Sequence, residues 1–171
     1  MTTLTAAQIT TTTSDGQLFE LIGMALDECL PNGRSPTDEF VGVLRTLPRG
    51  LRAMAAMYEL DVSLSMDDLG WHFGNWHNKA LAEETALGLE ELGADEMTHI
   101  FREAYALALP YWSELGAENW NKWYFESSLD KALAPLNDRA WEIQKQCGGS
   151  LLGVWVPYAR RYPERLSLCP L

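Results

Sequence analysis

Apolar side chains recur in this chain at three- and four-residue spacing and are cut off repeatedly by proline and glycine, which leaves helices packed on helices as its natural outcome. Leu18, Leu21, Ile22, Ala25, Leu26 and Cys29 form one such stripe behind Ser14-Asp15-Gly16-Gln17, which has capping-box spacing. Pro31-Asn32-Gly33 is expected to stop that helix. Ser35-Pro36-Thr37-Asp38 is expected to open the next, with Phe40, Val43, Leu44 and Leu47 on its apolar side. A third stripe runs through Leu51, Met54, Ala55, Tyr58 and Val62, and Ser65-Met66-Asp67-Asp68 starts a helix holding Leu69, Trp71, His72, Phe73 and Trp76. Residues 79–92 form a helix closed by Gly93, and the helix over 94–109 ends or kinks at Pro110. Further helices are expected over 129–146, with a break at Pro135, and over 151–166, interrupted near Pro157. No run alternates with period two. The expected fold is all-α: a single-domain irregular bundle of about seven to nine helices over 14–171, behind a flexible lead-in over 1–13.

The 171 residues, 47% of them apolar, are enough for one core. Acidic side chains outnumber basic ones 24 to 13, a net charge of -11, which disfavours nucleic acid or an anionic membrane as a direct partner and favours a basic protein. The start of the chain has neither the basic nor the apolar region of a secretory signal, and the uncharged stretch over 148–159 is too short to span a bilayer. Cys29, Cys147 and Cys169 are far apart and include no CxxC pair, as expected of reduced thiols in a cytoplasmic protein.

The charge is unevenly spread. Between Ala53 and Phe101 there are ten acidic residues against Lys79 alone, a local net of -9. Glu83, Glu84, Glu90 and Glu91 pair at i, i+7 and fall within about 120° of one another on a helix, over roughly 12 Å of its length. Asp67, Asp68, Asp95 and Glu96 flank them. An acidic helix face commonly serves only solubility, but the regional excess points to a face that receives a basic partner. Replacing the four glutamates by Gln is expected to leave the fold intact and to relieve like-charge repulsion.

Three segments carry a family likeness: Tyr58-Glu59-Leu60, then Trp71-His72-Phe73-Gly74-Asn75, then Gly88-Leu89-Glu90-Glu91-Leu92-Gly93-Ala94. With Leu129-Asp130 and Val156-Pro157-Tyr158-Ala159-Arg160, they resemble the bacterial DNA-mimic protein family over roughly residues 50 to 165. Where that family has Asn-Gly-Gly-Phe, this chain has Met66-Asp67-Asp68-Leu69. The resemblance implies an all-helical, often dimeric protein whose acidic surface occupies the DNA-binding face of a helix-turn-helix regulator. It also implies that Tyr58, Phe73, Asn75 and Gly93 are structural: Phe73 packing, Asn75 capping or bridging backbone, Gly93 ending a helix.

Catalytic patterns are missing. Glu96-Met97-Thr98-His99 has the Glu-x-x-His spacing of a di-iron site, but no second copy accompanies it, and His72 and His77 lie on different helix faces. No GxSxG, HExxH, GxGxxG or P-loop occurs. The sequence therefore reads as a non-enzymatic, cofactor-free acidic protein that binds a basic regulator, with homodimerisation expected from the resemblance and from the aromatic stretch between Trp112 and Phe125. Two other readings remain open at this stage: an immunity protein covering a basic toxin, and a small-molecule enzyme built in an all-α bundle.

Overall fold

The computed structural model describes residues 4–30 and 37–168. The N-terminal residues give the first departure from expectation. Thr5 and Gln8 form a capping box that starts α1, Ala6–Thr11, and both Leu4 and Ile9 are buried. Arg160 donates to the carbonyls of Ile9 and Thr13, each at 3.2 Å, and the Leu168 N–H bonds the Leu4 carbonyl at 3.0 Å. Residues 4–13 are thus tied to the C-terminal segment rather than forming a loose lead-in. Two buried apolar side chains within a Thr-rich stretch were too few to show as a period.

Ser14 caps α2, Asp15–Cys29, and Thr37 caps α3, Asp38–Thr46, through the Phe40 N–H at 3.2 Å. The stop at Pro31-Asn32-Gly33 and the start at Ser35-Pro36 lie outside the described residues. Pro48 ends the turn after α3 and leads into α4, Arg49–Met66. This central helix is buried around most of its circumference. Asp68 caps α5, Leu69–Asn75, and Asn78 caps α6, Lys79–Glu91, with bonds of 2.7 and 3.0 Å to the Trp71 and Leu81 N–H groups. Gly93, at φ 73°, closes α6 in a Schellman motif: its N–H bonds Glu90 and the Ala94 N–H bonds Leu89.

α7, Asp95–Ala108, runs back beside α6 and leads through a 3₁₀ turn at Leu109–Tyr111 into two short helices, α8, Trp112–Leu115, and α9, Trp120–Glu126. α10, Ser128–Gln146, packs on α5 and α7 and continues through Pro135 without the expected break. Pro135 and Lys131, whose carbonyl loses its intrahelical donor there, are both exposed residues. α11, Trp155–Arg161, carries Pro157 in its first turn, where the missing N–H has no intrahelical acceptor to lose. The described residues contain no strand, and one continuous apolar core runs from Leu4 to Leu166. The all-α expectation holds. The short α1, α5, α8, α9 and α11 bring the described α-helical segments to eleven.

Candidate acidic interface

α6 is the element that should carry the acidic face, and its neighbours decide which carboxylates reach solvent. α4 covers one side of it and α7 another. Gly88 makes the approach to α4 close, because a Cβ there would stand 2.9 Å from the Ala53 carbonyl oxygen. Glu83 and Glu90 fall on the remaining outward stripe and are exposed. Glu84 and Glu91, one residue on in each case, turn about 100° inward.

Glu84 is 2% exposed. It accepts from Arg45 at 2.7 Å and Arg52 at 2.5 Å, so two guanidinium groups hold one carboxylate in the α4–α6 seam. Glu91 accepts from Arg49, from the Tyr158 hydroxyl and from Arg165 at 2.9 Å. Burial opposes the charge on Glu91, but those three bonds outweigh it and hold the carboxyl below its usual range. Burial, and then the bond to Glu91, pushes Tyr158 up to about 12. The expected solvated face of four glutamates is therefore halved. Only Glu83 and Glu90 point outward, while Glu84 and Glu91 are neutralised ties to α3, α4 and the C-terminal segment. Replacing all four by Gln removes these ties as well as surface charge.

The flanking acids divide in the same way. Asp68 is buried, accepting from the Tyr124 hydroxyl at 2.8 Å and the Asn137 amide at 3.1 Å besides capping α5. Asp67 is half-buried, and burial together with the nearby Asp68 and Asp130 charges raises its pKa. Asp95 and Glu96 are exposed at the start of α7. Glu90 meets Arg102 at 2.5 Å and Glu96 meets Arg139 at 3.3 Å, both pairs lying in solvent where such contacts are weak and exchangeable. The outward acidic set is Glu83, Glu90, Asp95 and Glu96.

Of the motif residues, Phe73 is buried against Phe101 and Tyr105, and Tyr58 packs on Trp155. Gly93 ends its helix as expected. Asn75 stands exposed at the end of α5, and the cap expected from it is made by Asn78. The histidines have local partners: His72 shares a bond with Ser63 at 2.8 Å, His77 with the Trp112 carbonyl at 2.7 Å, and His99 with the Asp95 carbonyl at 2.7 Å. Among the described residues no three His, Cys, Asp or Glu side chains converge in a metal-binding group.

Sequence reasoning overlooked the guanidinium partners. Arg45, Arg49 and Arg52 recur at the same three- and four-residue intervals as the apolar stripes, which was the available signal. Asp61 was also counted with the surface charge, yet it is buried, accepting from Gln144 at 3.1 Å and from the Leu151 N–H at 2.6 Å.

An all-helical scaffold that exposes Glu83, Glu90, Asp95 and Glu96 on α6 and α7, and ties Asp61, Asp68, Glu84 and Glu91 inward, is that of an acidic all-α protein. The chain belongs to the DMP19-like protein family, whose profile matches residues 45–159. That is a family of DNA mimics, non-enzymatic in character, and membership is compatible with a DNA-mimic role. Neither a curated protein nor a solved structure matches the chain. No helix among the described residues is long and apolar enough to cross a membrane.

Proposed function

We propose that this protein is a non-enzymatic DNA mimic of the cytoplasm, which presents Glu83, Glu90, Asp95 and Glu96 to the DNA-binding face of a basic transcription regulator. The family match over 45–159 carries this reading, and the solvent exposure of these four carboxylates supports it. Glu83 and Glu90 lie about 10 Å apart along α6, with Asp95 and Glu96 following directly after the Gly93 turn. Their charge attracts a basic surface over the Debye length, and the Arg102 and Arg139 contacts are weak enough for a partner's cations to replace.

The proposal includes a homodimer, which would repeat this edge on both subunits. Light scattering should then give about twice the 19.2 kDa chain mass, and a value near the single chain removes the dimer. The deciding experiment is operator displacement. A regulator captured from the native host should release its operator duplex as the protein is added, and should do so less readily with the variant E83Q/E90Q/D95N/E96Q. A ternary complex of regulator, operator and protein overturns mimicry.

A further inference from the structure

Leu87 stands on the outward stripe of α6 with 52% of its surface exposed, four residues after Glu83 and three before Glu90. It forms part of the rim of an open groove of about 570 Å³ between α4 and α6. Ala53 and Gly88 also line it, and its Arg49, Arg52 and Arg165 are paired with its Glu84 and Glu91. We infer that Leu87 is the apolar anchor of the acidic edge, and that the partner surface it fits is basic with an apolar side chain set between two cationic ones.

This inference rests on the proposed reading of the acidic edge and goes beyond charge. Attraction between exposed charges is long-range and screened, so it speeds encounter more than it holds a complex together. Retention needs a contact that excludes water, and Leu87 is the apolar group placed between the two exposed carboxylates of α6. Covering the groove strands no acid of the seam, because Glu84 and Glu91 already have guanidinium partners. A partner's apolar side chain can therefore enter beside Leu87 while cations on either side of it reach Glu83 and Glu90. A phosphate backbone offers nothing equivalent to Leu87, so a partner that uses this anchor distinguishes the protein from DNA.

The test uses two synthetic helical peptides of equal length and positive charge, one with leucines and the other with alanines between its lysines. The wild-type protein should bind the leucine peptide about tenfold more tightly than the alanine peptide. Leu87→Ser should erase that ratio, bringing the leucine peptide's affinity down to that of the alanine peptide, with circular dichroism confirming that the fold is kept. A ratio near one in the wild type, or a ratio that survives Leu87→Ser, overturns the anchor alone. The double variant E83Q/E90Q should weaken both peptides to the same extent. If it weakens neither, the acidic reading fails and the anchor fails with it.

Discussion

Arg52 meets Glu84 at 2.5 Å from 32 positions away, joining α4 to α6, and Arg45 reaches the other carboxylate oxygen at 2.7 Å. Gln at position 84 would keep the shape but remove the charge, leaving two guanidinium groups beside a buried neutral amide. Glu84→Gln should therefore destabilise the protein by about 2 kcal/mol, below the full cost of breaking a buried pair because both arginines retain contact with water. Urea denaturation measures this. Glu83→Gln, one residue away and exposed, should stay within about 0.5 kcal/mol of the wild type, and equal losses at the two positions would contradict the inward and outward assignment.

The second prediction concerns the contact beneath α5. A Cβ at Gly70 would stand 2.1 Å from the Tyr124 ring, and Tyr124 is buried with its hydroxyl on Asp68 at 2.8 Å. The ring cannot withdraw without breaking that bond. Gly70→Ala should cost more than about 2 kcal/mol, although alanine is ordinarily the better helix former. Tyr124→Phe removes the hydroxyl alone and should cost about 1 kcal/mol. A stabilised Gly70→Ala variant in thermal denaturation would reject the close packing.

Helices were legible in the sequence because apolar period and punctuation are local properties. The cap at Ser14, the stop at Gly93 and the stripe on α2 follow from residues within a few positions of one another, whereas the start expected from Ser65 falls three residues later, with Ser65 and Met66 in the last turn of α4 and Asp68 as the cap of α5. The acidic edge was only half legible, because an i, i+7 spacing shows that glutamates share a side of a helix without showing what covers that side. Arg45, Arg49 and Arg52 lie just before the acidic stretch, so a charge count over a window starting at Ala53 missed the groups that neutralise it. Asp61 and Asp68 were miscounted as surface charge for a similar reason: their partners Gln144, Leu151, Tyr124 and Asn137 come from segments far along the chain.

Burial lowers the pKa of His72 to about 3, so the ring stays neutral in the folded protein, with Ser63 on Nδ1 and the Phe73 and Phe101 rings around it. In the unfolded chain a histidine titrates near ~6.5. Between those values the unfolded state binds a proton that the native state does not, so stability falls as pH is lowered through that window, by at most ~1.4 kcal/mol per pH unit from this group. Measured above the carboxylate range, the wild type should lose stability on acidification more steeply than His72→Gln. Parallel slopes would show that the ring takes up its proton in the folded state.

The acidic edge makes a kinetic prediction that separates it from the ion pairs beneath it. Glu83, Glu90, Asp95 and Glu96 are exposed, so changing them to the corresponding amides should leave the urea midpoint close to that of the wild type. The same change removes four negative charges from the long-range field of this edge, so the on-rate for a captured basic regulator should fall while the off-rate changes less. Raising salt from low to physiological ionic strength should slow wild-type association more than it slows association of the amide variant, since screening acts on charge that the variant no longer carries. Stopped-flow association at two salt concentrations provides both numbers. Equal salt dependence in the two proteins would mean that the regulator meets the molecule elsewhere, and that these four carboxylates are ordinary solvated surface.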